Sequence, residues 1–186
     1  MSRLKEIIAN NEVFVATDQH KSYKATKYPD KKMVVFSCMD TRLTHMLPAA
    51  MGLKNGDAKI IKNAGALIMH PFGSIMRSMV VAVHELGAEE IFVVGHYGCG
   101  MNNVDTDHIV KKMHDAGISI SVIETLKHAG IDVHQWLHGF DCIEVSINET
   151  VQMIRNHPLI PDAIQVHGLV IDPETGKVDV LIDGEN

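Results

Sequence analysis

Met33-Val34-Val35-Phe36-Ser37-Cys38-Met39-Asp40-Thr41-Arg42 begins as apolar chain and ends in a thiol, a carboxylate and a guanidinium. Residues 33–37 form a β-branched and aromatic run without polar alternation, the pattern of a parallel strand buried on both faces. Such a strand delivers Cys38 at its C-terminal end. Working outward, Lys59-Ile60-Ile61 reads as a second strand that ends at Asn63-Ala64-Gly65. Past Pro71, the residues Ile75, Met76, Met79, Val80, Val83 and Leu86 recur at helical period until Gly87 stops them. Ile91-Phe92-Val93-Val94 is then a third strand, and it delivers His96. The order strand, loop, strand, helix, strand predicts an α/β fold. Open sheets of that class bind ligands outside the carboxyl ends of their strands.

The flanks fill in the rest. Residues 2–16 read as a helix with Leu4, Ile7, Ile8 and Val15 as its apolar stripe, and Asp18 to Lys32 as a polar, solvated wrapping loop. Residues 106–116 and 119–129 read as two short helices broken at Gly117. Asp141, with Glu144 three residues on, has the form of a capping box that opens a helix to about Asn156, where Pro158 ends it. Ala163 to Ile171 and Lys177 to Ile182 pair as a hairpin around Pro173-Glu174-Thr175-Gly176. No repeat, low-complexity tract or linker divides the chain. The expectation is a single α/β domain over 1–186, with a mainly parallel β-sheet flanked by helices and a C-terminal β-hairpin. Residues 1–30 form its N-terminal helical arm and loop, and 31–186 its core.

Composition narrows the class of function. The chain has 186 residues, 46% hydrophobic and 22% charged, ordinary values for a globular protein. Its net charge of −6 points away from nucleic acid and anionic membranes as partners. The longest apolar run, Met79 to Val83, is far short of a membrane span. Met1-Ser2-Arg3-Leu4-Lys5-Glu6 is charged at once and unlike a signal peptide, and three cysteines fit a reducing compartment, so the expected location is cytoplasmic.

Cys38, His96 and Cys99 form the donor set zinc favours, two thiolates and an imidazole, one zinc per chain. No second Cys-X-X-Cys closes the site, and catalytic zinc characteristically keeps three protein ligands and an open fourth position. Asp40 stands two residues past the first thiolate as an acceptor for a metal-bound hydroxide, and Arg42 two further on as the partner that keeps Asp40 ionised. The pattern reads as a hydrolytic or hydrating zinc enzyme. The duller alternative makes Asp40 a helix cap with Arg42 as a surface pair. Cys142, in a helix beside Val145, reads as core, as do Met76 and Met79. His45 and His70 lie near enough in sequence to the motif segments to be proton-transfer candidates.

Cys38-X-Asp40-X-Arg42 followed by His96-X-X-Cys99 resembles the paired signature of the β-class carbonic anhydrases. The likeness extends to Asn63-Ala64-Gly65, Cys99-Gly100, His157-Pro158-Leu159-Ile160-Pro161 and Val166-His167-Gly168, and covers roughly residues 30–182. The resemblance implies a parallel sheet flanked by helices, a homodimer whose N-terminal helices reach onto the partner, and reversible hydration of carbon dioxide to bicarbonate and a proton by zinc-bound hydroxide. One departure stands out. Some members carry a Trp three residues before the first ligand, part of a bicarbonate site that favours an inactive, Asp-ligated zinc; here that position is Val35, so Asp40 is expected to stay paired with Arg42. Residues 101–140 match the family least. Two alternatives use the same motifs: a zinc hydrolase of carbon disulfide or carbonyl sulfide, and a non-catalytic zinc or redox-sensing protein.

Overall fold

Met33–Cys38 (β1) is buried at every position, because it lies inside a sheet with a parallel neighbour on each side. The computed structural model describes residues 2–185. In chain order the elements are α1 (Arg3–Ala16), β1, α2 (Leu43–Ala50), β2 (Ala58–Asn63), α3 (Ser74–His84), β3 (Glu90–His96), α4 (Thr106–Asp115), α5 (Ile120–His128), α6 (Val133–Leu137), α7 (Ile143–Arg155), β4 (Gln165–Ile171) and β5 (Val178–Ile182). The strands form one sheet in the order β2-β1-β3-β4-β5. All neighbours are parallel except the final hairpin pair, β4 and β5. This is the expected α/β fold: a mainly parallel sheet flanked by helices with a C-terminal antiparallel hairpin.

Register sets the functional edge. Cys38 pairs with Asn63 of β2, and His96 pairs with Ile171 of β4, so both residues end their strands on the carboxyl side of the sheet. Phe36, Val34, Ile91 and Val93 are fully buried in the core between sheet and helices. Helix α7 lies across β3 and β4 at the two places where those strands carry glycine. A Cβ on Gly95 would sit 2.7 Å from Ile143 Cδ1, and one on Gly168 2.7 Å from Ile147 Cγ2. Side chains at those positions would push the helix away, so the glycines let Ile143 and Ile147 seat directly on the strands.

Several elements differ from expectation, each for a local reason. Helix α7 starts at Ile143, with Cys142 at the N-cap and no side-chain cap. The expected capping box from Asp141 does not form; the Cys142 thiol donates to Glu144 Oε2 at 3.1 Å instead. Cys142 is exposed, not core. Helices α2 and α6 escape periodicity because they are short, eight and five residues, and α2 carries Pro48. The polar loop wraps onto the turn that leads into β2: Asn55 Nδ2 donates to the Tyr23 carbonyl at 2.7 Å, and the Asp30 amide to the Gly56 carbonyl at 2.9 Å. It also contains a 3₁₀ turn, Gln19–Tyr23. Helix α1 buries none of its residues; Leu4, Ile7, Ile8 and Val15 are all exposed. Met76 and Met79 are core. No helix among the described residues is long and apolar enough to cross a membrane.

Ile147 is 1% exposed and fills the space that Gly95 and Gly168 leave open. Ile147→Ala should therefore cost about 2–5 kcal/mol of unfolding free energy. Urea denaturation measures it, and a loss well under 1 kcal/mol would mean that α7 does not depend on this contact.

Candidate metal centre

Cys38 is the last residue of β1 and His96 the last of β3, so adjacent parallel strands present both at one edge. Cys99 follows in the turn after β3. All three are buried. Their donor atoms lie within 4.8 Å of one another, and the two sulfurs are 3.8 Å apart. His96 Nδ1 is 3.0 Å from the carbonyl of Tyr97. A carbonyl only accepts, so Nδ1 carries the proton and Nε2 presents its lone pair. That Nε2 is buried and has no hydrogen-bond partner. An unsatisfied buried polar atom is costly, and this one faces two thiols in the donor combination of a zinc site. The residues fit such an ion, and the bond to the Tyr97 carbonyl holds the imidazole in the tautomer a metal requires.

Backbone amides complete the electrostatics. The Gly65 N–H donates to Cys38 Sγ at 3.4 Å and the Met101 N–H to Cys99 Sγ at 3.5 Å. Gly65 reaches Cys38 through a left-handed turn (φ 80°), a conformation that favours glycine. Asn63 braces this turn: its Nδ2 donates to the Leu67 carbonyl at 2.6 Å, and its Oδ1 accepts from the Leu67 amide at 3.2 Å. Sharing one proton between two close sulfurs splits the pair. The hydrogen bond from Cys99, against the opposing effect of burial, lowers the Cys38 thiol to about 4, while the same bond and burial push Cys99 up. Burial works to lower His96, but the nearby Cys38 sulfur and the Tyr97 carbonyl leave it raised overall.

Asp40 is held by one residue. Its Oδ1 accepts from the Arg42 amide at 2.9 Å and from Nε at 3.0 Å, and its Oδ2 accepts from Nη2 at 2.8 Å. The guanidinium beside it holds the carboxyl well below the usual carboxylate range. Oδ2 is also 3.8 Å from His96 Nε2. The carboxylate thus lies alongside the three donor atoms, and its bonds go to Arg42 instead of capping α2. Arg42 Nη2 donates a second bond, to the Gly98 carbonyl at 3.0 Å. Lys62 of β2, part-buried, donates from Nζ to the Cys38 carbonyl at 3.3 Å, and burial lowers its ammonium. His45 and His70 are exposed, and His70 lines a separate cavity with Ile131 and Trp136. Among the described residues no side-chain hydrogen bond ties either histidine to the cluster. Val35 is buried in the middle of β1.

The sequence model of the carbonic anhydrase family matches residues 33–178, from the start of β1 to the start of β5. The chain belongs to the β-carbonic anhydrase family. Among curated relatives it is 53% identical over 184 residues to a Bacillus subtilis protein provisionally named a carbonic anhydrase, YvdA, covering 99% of this chain and 93% of that one. It is 33% identical to a carbon disulfide hydrolase of Acidithiobacillus thiooxidans, covering 80% and 76%. Among solved structures, the β-carbonic anhydrase isoform I of Trichomonas vaginalis superposes with a TM-score of 0.89 at 36% identity, covering 99% of this chain and 100% of that one.

For this member of the β-carbonic anhydrase family, the five residues singled out from sequence lie together at one strand edge. What sequence reasoning missed is the supporting shell: the Gly65 and Met101 amides, the Tyr97 and Gly98 carbonyls, and Lys62. Four of the five are main-chain groups, which no side-chain pattern announces; Asn63-Ala64-Gly65 is the one visible trace of them. Metal analysis of purified protein should give one zinc per chain, and Cys99→Ser should lose most of it. Full retention by that variant would remove Cys99 from the ligand set.

Proposed function

We propose that the chain is a zinc carbonic anhydrase catalysing the reversible hydration of carbon dioxide to bicarbonate and a proton. The observation that carries this reading is the buried, unpartnered His96 Nε2 facing the thiols of Cys38 and Cys99, with the Asp40 carboxylate held beside it. Zinc held by these three residues supplies acidity to a water, making a hydroxide nucleophile available near neutral pH. Asp40, kept ionised by Arg42, accepts a hydrogen bond from the attacking oxygen and so turns a lone pair toward the incoming carbon. Arg42 fixes the carboxylate by a two-point contact, so that it is positioned before substrate arrives. The substrate is small and nearly apolar and asks little of the pocket beyond access.

Stopped-flow hydration of carbon dioxide by zinc-loaded protein tests the reading. Asp40→Asn should keep its zinc and slow turnover on the order of 10²-fold or more, as expected for loss of a positioned acid–base group. Unchanged turnover would leave Asp40 without a catalytic role. Because Arg42 holds the carboxyl below its ordinary range, Asp40 is deprotonated on both sides of neutrality. The pH profile of kcat/KM should therefore rise through one ionisation, with no second step from Asp40. Carbon disulfide and carbonyl sulfide belong in the same assay, given the name of the Acidithiobacillus relative. Turnover of those alone would place the chain with the hydrolases, and zinc binding without any turnover would favour the non-catalytic alternative.

The active assembly we infer is a homodimer, and three unpaired cysteines suit a reducing compartment such as the cytoplasm. Among the described residues nothing covers the exposed Leu4, Ile7 and Ile8 of α1, and a second copy is the partner always at hand. Deleting residues 1–20 should give monomers or aggregates by light scattering. A stable, fully active monomer would refute the dimer.

A further inference from the structure

We propose that Arg42, besides holding Asp40, is a positioning residue for the metal ligand Cys99, clamping the turn after His96 that carries it. The proposal rests on the zinc reading above. Its basis is the way two strand ends are joined. The paired register of β1 and β3 runs from Met33 and Glu90 to Ser37 and Val94 and goes no further. Beyond it the two strands part: Cys38 stays paired with Asn63 of β2 and His96 with Ile171 of β4, and after them the chain leaves the sheet as separate loops. Tyr97 is still tied to β4 through the Ile171 carbonyl at 3.1 Å, but Gly98 and Cys99 lie past that bond.

Among the described residues, one side chain to backbone hydrogen bond crosses between residues 38–42 and 96–99. It runs from Arg42 Nη2 to the Gly98 carbonyl, 3.0 Å long. Gly98 is the residue immediately before Cys99. The same nitrogen donates to Asp40 Oδ2 at 2.8 Å, while Nε takes Oδ1 at 3.0 Å. The guanidinium plane is thus fixed on one side by a bidentate carboxylate and reaches the second ligand loop from there. A rigid, permanently charged fork suits that task; a flexible ammonium does not. Among the described residues Asp40 makes no hydrogen bond to residues 96–99; its Oδ2 lies 3.8 Å from His96 Nε2. Removing the carboxylate and removing the guanidinium should therefore have different effects on the metal.

The test measures zinc release from the loaded full-length protein into excess chelator, alongside the thermal midpoint of the zinc-free protein. Arg42→Met should release zinc about 10–100-fold faster than wild type, the range typical of losing a residue that supports metal ligands. Asp40→Asn should stay within about twofold of wild type, since it leaves the Gly98 contact available. The zinc-free midpoints of all three should coincide. Wild-type release from Arg42→Met would overturn the clamp, as would equal acceleration by Asp40→Asn, which would show the guanidinium acting only through the carboxylate. A zinc-free midpoint falling in step with release would overturn it too, because the effect would then be general loss of structure. Should Arg42→Met not fold, Arg42→Lys carries the test: release several-fold faster supports the clamp, and wild-type release refutes it. A wild-type chain that binds no zinc would instead refute the metal reading itself.

Discussion

The parallel pairing of β1 with β3 is the constraint on which the rest depends. Strands that run the same way end on the same side, so Cys38 and His96 meet although they are far apart in sequence. An antiparallel partner would have sent His96 to the opposite edge. Parallel pairing in turn requires a covered crossover connection and burial of both faces. Those demands account for α3 between β2 and β3, for the unbroken apolar character of β1, and for the helix seated on Gly95 and Gly168.

Placing two thiols, an imidazole and a carboxylate at the end of such a sheet conflicts with the rules that build its core. Each polar group is given a partner from the backbone or a neighbouring side chain. Gly65 and Met101 serve the sulfurs, Tyr97 serves one imidazole nitrogen, and Arg42 serves the carboxylate. One atom is left out, His96 Nε2, and it is the atom through which the site would take its metal.

How much of this could be read from sequence varied with the physics behind each feature. The buried strands were legible because a continuous apolar run has few other uses, and α3 because Met76 and Met79 repeat at helical spacing. The start of α7 was misread: Asp141 and Glu144 stand at capping-box spacing, but Cys142 takes up the Glu144 carboxylate. Two-residue and four-residue offsets made Asp40 and Arg42 visible beside Cys38. Nothing made Gly98 visible, because its contribution is a carbonyl, and carbonyls carry no sequence signature. Residues 101–140, which match the family signature least, also contain α6, too short for periodicity to detect. The apolar stripe of α1 was legible as a stripe, but among the described residues it stays exposed.

The separation of the donor residues along the chain also bears on how the protein is made. During synthesis Cys38 emerges first, and its strand can pair with β2 before β3 brings the other two donors. Even then β3 has only one of its two neighbours, since β4 comes near the C-terminus, after four intervening helices. Domains generally fold as units during translation. An ion meeting these two thiols and the imidazole before β4 is in place would find them on a sheet that still lacks β3's second neighbour. The order in which the strands are threaded would make firm loading of a metal wait on the rest of the sheet.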